Sequence, residues 1–159
     1  MRTLPIVAAT CLVASSWTLK ADTYARQPAI DAIHYRFALA VAENTSRIEG
    51  EAVATLRLVG PARDIVLDLA SAAGDKGMTV GGVTVGGHAV AFSHVANRLR
   101  LPVPGDAIPG QDLAYTIAYA GTPADGLRTI TTMHGDRSVF SDNWPDRARH
   151  WLPMIDHPY

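Results

Sequence analysis

The chain has 159 residues, which fits one domain and leaves little room for a second. Hydrophobic residues make up 48% and charged residues 18%, a balance that excludes an intrinsically disordered chain. A formal net charge of -1 provides no cationic surplus to displace counterions from a phosphate backbone, so no nucleic-acid partner is expected. The single cysteine, Cys11, excludes an internal disulfide and a cysteine zinc cage.

The N-terminus reads as a targeting segment. Arg2 supplies one fixed charge, and residues 4–17 are mostly apolar, broken by Pro5, Thr10, Ser15 and Ser16. That length suits a signal-peptide core and falls short of the ~20 residues of a membrane-spanning helix. Small residues offer cleavage points at Ala14-Ser15-Ser16, at Lys20-Ala21 and at Tyr24-Ala25. A leader is therefore expected over residues 1–21, ending anywhere from 16 to 25, with the domain over 26–159. Thr10 precedes Cys11 where a lipoprotein site wants Gly, Ala or Ser, so lipid anchoring is not expected. Export to the periplasm or outside the cell follows, with no transmembrane helix in the mature chain.

The body alternates with period two. Ile33, Tyr35, Phe37, Leu39 and Val41 share one face, and His34, Arg36, Ala38, Ala40 and Ala42 the other. Residues 43–47 form a polar turn. A second strand over 51–59 places Ala52, Ala54, Leu56 and Leu58 opposite Glu51, Thr55 and Arg57, completing a hairpin that Gly60-Pro61 stops. Residues 64–69 give a third strand. Residues 78–85 give another, interrupted by Gly81-Gly82, a pair that marks a bulge or bend. Gly86-Gly87 reads as a two-residue hairpin turn. A strand is expected over 89–95, a turn at Asn97 and a strand over 98–103. A longer strand over 112–120 carries Leu113, Tyr115, Ile117 and Tyr119, and residues 121–126 form a turn region. Ile130 to Thr132 and Val139-Phe140 mark two short strands. With no helical period outside the leader, the expected class is all-β, an antiparallel two-layer β-sandwich.

From Ser141 onward the character changes. Two Trp, three Pro and several charged residues crowd together without amphipathic period. A loop held by Arg–carboxylate bonds and Trp burial has this composition. The stretch from Asn143 to Pro158 (NWPDRARHWLPMIDHP) resembles the signature of the aminopeptidase N-like zinc aminopeptidases, gluzincins of peptidase family M1. Its elements here are Ala148-Arg149, Leu152-Pro153 and Asp156-His157-Pro158. Upstream, IHYRFALAV, EGEAVATLRL, DIVLDL, VGGVTVGG, RLRLPVP and LAYTIAYAGTPADG follow that family's N-terminal domain in order. The resemblance covers residues 30–159.

The resemblance implies a saddle-like β domain that leans on a zinc-bearing catalytic domain. That catalytic domain carries a His-Glu-x-x-His helix, a third Glu ligand and a Gly-x-Met-x-Asn loop, none of which this sequence contains. No catalytic residue, metal ligand or cofactor is therefore expected in this chain; zinc belongs to intact relatives. The domain is expected to be incomplete at its C-terminal end, with the catalytic domain as the missing partner.

In the family, the segment before the Ala-Arg pair sends a Gln or Glu to the substrate's free amine. The resemblance places Trp144 there, after Asp142 and Asn143. An indole N–H only donates, so either Asp142 or Asn143 serves or the contact is lost. Arg147 and Arg149 with Asp146 and Asp156 are read as ion pairs bracing the loop, and Trp144 and Trp151 as plugs of a domain interface. His150 and His157 lack a third ligand at metal spacing. The spacing of Asp142, Asp146 and Asp156 does not make a calcium loop. Asn44-Thr45-Ser46 is read as a turn rather than a glycosylation site.

The expected function is that of a non-catalytic domain of a zinc metallo-aminopeptidase. In intact relatives that enzyme removes N-terminal residues from peptides, and this domain walls the cleft and aligns the substrate's amine end. The alternative is a stand-alone secreted β-sandwich binding module. The first predicts an exposed apolar patch at Trp144, Trp151, Leu152 and Met154; the second predicts a polar surface throughout.

Overall fold

The computed structural model describes residues 23–157. The leader expected over residues 1–21 lies outside them, as does Pro158. In chain order the strands are β1 (Ile30–Val41), β2 (Ile48–Leu58), β3 (Asp64–Asp68), β4 (Gly77–Val85) and β5 (His88–Ala89). There follow β6 (Ser93–Val95), β7 (Arg98–Pro102), β8 (Asp112–Thr122), β9 (Leu127–Thr131) and β10 (Arg137–Ser141). One 3₁₀ turn, Ala148–His150, ends the list.

Period-two patterning decides how these strands assemble. β2 turns Ile48, Ala52, Ala54, Leu56 and Leu58 inward, and β8 turns Leu113, Tyr115, Ile117 and Tyr119 the same way. The two pair antiparallel at the centre of a five-stranded sheet of order β1-β2-β8-β4-β5. A three-stranded sheet of order β3-β7-β6 lies across it. Ile65 and Leu67 of β3 and Leu99 and Leu101 of β7 meet the β2 and β8 side chains in one buried cluster. This is the expected all-β, antiparallel, sandwich-like fold. β9 and β10 form a separate hairpin. Arg137 ties it to the β1–β2 turn, donating to the carbonyls of Glu43 and Thr45.

Glycine and asparagine perform the bends the pattern marked. The β4 register slips between Val80 and Gly82, a bulge at Gly81. Gly86 and Gly87 take φ of 58° and 81° and close the β4–β5 hairpin. Ala96 and Asn97 close β6–β7 with left-handed φ of 51° and 60°. The Asn97 side chain steadies that turn by accepting from Ser71 N at 2.9 Å.

Several strand ends differ from the sequence reading by a few residues, and two of the differences have a structural reason. The strand expected over 89–95 is divided: β5 belongs to the large sheet and β6 to the small one. The chain crosses between layers at Val90 and Phe92, both packed against the core, so one periodic run serves two sheets. The turn expected from residue 121 begins later. Gly121 and Thr122 continue β8, because Gly121 without a Cβ lets the β4 backbone pass directly over it.

Gly50 faces a similar restriction. A Cβ there would lie 2.6 Å from the Tyr119 ring, which is itself buried and packed in the core. Gly50→Ala is expected to cost about 1–3 kcal/mol by overpacking, measured by urea denaturation. Gly82→Ala, with nothing near its Cβ, serves as the control and should change stability by less than ~0.5 kcal/mol.

Candidate functional site

The tail is built around two buried carboxylates. Asp68, at the end of β3, is 1% exposed. Its Oδ2 accepts from the Tyr24 hydroxyl at 2.6 Å and from Asp156 N at 3.0 Å. Its Oδ1 accepts from Arg98 Nη1, its cross-strand partner on β7. The Arg98 guanidinium also lies over the Tyr24 ring, 5.3 Å from its centroid. Asp68 N donates to Met154 O at 2.8 Å, so the tail adds a one-residue bridge to β3. Burial first, and then the neighbouring Asp68 carboxylate, push the Tyr24 hydroxyl well above the usual phenol range.

Asp156 closes the second ring. Its Oδ2 accepts from Arg149 N at 2.9 Å and Arg149 Nε at 3.3 Å, while Arg149 Nη2 donates to the Asp156 carbonyl. Arg149 also approaches Asp146 at 3.6 Å. One guanidinium thus ties both ends of the loop. Ile155 N donates to the Tyr35 hydroxyl at 3.1 Å, fixing the tail against β1.

Residues 142–147 hang from this frame. Asp142 Oδ2 accepts from Arg147 Nη1 at 2.9 Å, and Asp142 N donates to Gly126 O at 2.8 Å. Arg147 pairs with Asp142 and Asp125, not with the Asp146 and Asp156 that the sequence reading offered it. The Asp125 carboxyl is held below its usual range, first by the Gly126 N–H, then against some desolvation by Arg147, Arg128 and His150. Asn143 Oδ1 accepts from the Trp151 indole N–H at 3.0 Å. The Trp151 ring lies 3.0 Å from where a Cβ on Gly126 would be, so only glycine fits beneath it. Trp144 is the most exposed large apolar side chain of this loop, at 75%.

The expected apolar patch is thereby corrected. Trp151 is 7% exposed and Leu152 8%; both join this domain's own core, and Met154 packs against it. Trp151 lies over the Gly126 turn, and Met154 bridges to Asp68 of β3. Exposed apolar side chains occur instead along β1, at Ile33, Leu39 and Val41, and on the β9–β10 hairpin, at Ile130, Met133, Val139 and Phe140.

Beside the clamp lies a cavity of about 420 Å³ whose lining includes Asp68, Lys76, Arg98, Arg149 and His150. A wider, shallow depression of about 680 Å³ spans the outer face of the large sheet, and no residue of the 142–156 loop lines it.

No protein-family model matches the sequence, and no curated protein matches it. Solved structures do. The M1 zinc metallopeptidase of Deinococcus radiodurans superposes with a TM-score of 0.66 and 27% identity, over 83% of this chain and 30% of its own. A two-domain M1 zinc metallopeptidase variant bound to L-arginine gives 0.68 and 25%, with the same coverage. Yeast LTA4 hydrolase shares the fold, with a TM-score of 0.65 at 18% identity over 80% of this chain and 21% of its own. The domain is similar to the N-terminal domain of the M1 zinc metallopeptidases. This chain spans about 30% of the length of the first of these.

The M1 likeness raises the question of zinc. Among the described residues, no group of three or more His, Cys, Asp or Glu comes together in a way that could hold a metal ion. Neither His150 nor His157 belongs to such a group among the described residues, and those side chains do not fit zinc. No helix among the described residues is long and apolar enough to cross a membrane.

Sequence reasoning missed Asp68, Arg98, Tyr24 and Asp125. Period two places Asp68 with Asp64 and Val66 on the outward side of β3, yet the returning tail covers it. The only signal was an acidic residue between Leu67 and Leu69 with no turn chemistry around it. Asp68→Asn is expected to cost about 3 kcal/mol, because a buried charge pair loses one partner. Tyr24→Phe should cost about 1.5 kcal/mol, one hydrogen bond to a charged acceptor. Asp112→Asn, which breaks the solvent-exposed pair with Arg57, should lose far less. Denaturant midpoints of the three variants provide the check.

Proposed function

We propose that this chain acts as the non-catalytic N-terminal β domain of an exported zinc metallo-aminopeptidase, with the zinc-bearing catalytic part as its partner. One observation carries the reading: the fold and 27% identity extend over 83% of this chain but over only 30% of the Deinococcus radiodurans enzyme. Chemistry on the peptide bond belongs to the part of such an enzyme that this sequence does not contain. What this domain contributes is a wall to the cleft and an acceptor for the peptide's amine end.

Asp142 is the residue suited to that contact. The related enzymes are described with a Tyr-Ser-Ala substrate and with L-arginine, both of which carry a free α-amine. Asn143 has its carbonyl oxygen occupied by Trp151, and the Trp144 indole N–H can only donate. Asp142 is half exposed and keeps lone pairs beyond the one Arg147 uses. Trp144 beside it supplies an aromatic face against which an ammonium is stabilised.

A second reading has one observation in its favour. Trp151 and Leu152 are covered by this chain's own residues, as a self-contained secreted binding module requires. The two readings agree that the chain alone performs no hydrolysis. The purified chain is expected to retain no stoichiometric zinc after dialysis and to show no turnover of aminoacyl-anilides. Tight zinc with measurable release of amino acids would overturn both.

Arg2 and the apolar run over residues 4–17 support export. Tyr24 narrows where the leader ends, since its hydroxyl is a ligand of the Asp68 carboxylate. Cleavage is proposed between residues 16 and 21, leaving Tyr24 on the mature chain. The intact mass of the exported protein tests this; a product beginning after Tyr24 would refute it.

A further inference from the structure

Four strands end the two main sheets, β1, β3, β5 and β6, and this fold treats them very differently. The edge of β3 is covered by the Gln27 side chain at Val66 and by Met154 at Asp68. β5 and β6 have 2 and 3 residues, too short to template another strand. β1 has 12 residues, and among the described residues nothing pairs with its outer edge. Natural edges are blunted by shortness, proline, lysine or bulges. β1 contains neither proline nor lysine, and its one irregularity, between Ala32 and His34, sits at its start. From His34 to Val41 it runs in unbroken register with β2.

The side chains along that edge are self-complementary. Antiparallel pairing of β1 with its own copy, centred on Phe37, sets Phe37 opposite Phe37, Tyr35 opposite Leu39 and Ile33 beside Val41. On the outer face, Arg36 falls opposite Ala38 and His34 opposite Ala40. No like charges face one another directly, and Arg36 keeps its own Glu51 at 3.8 Å. Every pairing on the core side joins aromatic or aliphatic residues, the combinations that stabilise neighbouring strands. Ile33, Leu39 and Val41 are 37–47% exposed in the single chain, and this register brings the two exposed rows side by side.

We propose that β1 is a homodimerisation edge: two copies of this chain pair β1 to β1, antiparallel about Phe37, joining two five-stranded sheets into one of ten. The contact is isologous, so each favourable or unfavourable pair occurs twice. The proposal does not depend on the metallopeptidase reading. It concerns the β1 backbone edge and leaves the 142–156 loop free.

Sedimentation equilibrium of the purified chain, from about 1 to 100 µM, tests it. A reversible monomer–dimer equilibrium is expected. Ala38→Lys is the diagnostic variant. Within one chain, position 38 faces Glu51 on β2, so the introduced ammonium suits the monomer fold. Across the dimer it faces Arg36 of the other copy, twice, and should weaken association about tenfold. Adding Arg36→Glu to Ala38→Lys turns both clashes into attractive pairs and should restore the wild-type dissociation constant. Val95→Lys, on β6, should leave it unchanged. Circular dichroism confirms that each variant keeps its strand content. A wild-type chain that stays monomeric at 100 µM overturns the proposal and leaves the edge to a strand of another polypeptide. A dimer indifferent to Ala38→Lys overturns it equally, because association then uses another surface.

Discussion

A carboxylate that has left water must be met by donors from the protein, and Asp68 is met by three. They come from opposite ends and the middle of the described chain: Tyr24, Arg98 and the backbone of Asp156. Burying an ion costs several kcal/mol unless its oxygens are satisfied. The Asp68 position is therefore tolerable only when the N-terminal segment, β7 and the tail are all in place. Its main effect is to penalise partly closed arrangements; its net contribution to stability is modest. The apolar core between β2, β8, β3 and β7 drives collapse, and Asp68 specifies how the ends dock on it.

The same logic explains the composition of the tail. Arg149 must reach both Asp156 and Asp146, and its own backbone N–H is accepted by Asp156 while its carbonyl accepts from Ala70. A short chain segment with these bonds cannot be a strand or a regular helix, so it needs charged side chains to replace the missing ladder. Trp151 fills the space over Gly126 and bonds Asn143. Ala148-Arg149, Leu152-Pro153 and Asp156 thus have a folding reason in their own right. They dock the tail on β3 and the core.

How much of this was legible depended on whether the signal was local. The hairpins were: alternation in β1 and β2, and the Gly86-Gly87 turn, involve neighbouring residues and stereochemistry alone. Gly81 announced its bulge for the same reason. The division of β5 from β6 was not legible, since a periodic run does not state which sheet each half will join. Asp68 was hidden because period two describes only the two faces of a strand; it cannot foresee a later segment covering the outward one. Trp151 showed a related ambiguity. A dense cluster of Trp, Arg and Pro signals a braced structure, but burial against one's own sheet and burial against a partner leave the same mark in sequence.

Bracing also bears on what the 142–147 loop can do. Asp142 is restrained at its carboxylate by Arg147 and at its backbone by Gly126. Arg147 is itself restrained by Asp125, and Asn143 is held by Trp151, which belongs to the core. A recognition group gains from such restraint, because a displacement of about 1 Å at a positioning contact can cost on the order of a hundredfold in rate. The loop therefore combines two features. Its base is tied to the core by ion pairs and an indole hydrogen bond, and its tip presents an exposed tryptophan beside a half-exposed carboxylate.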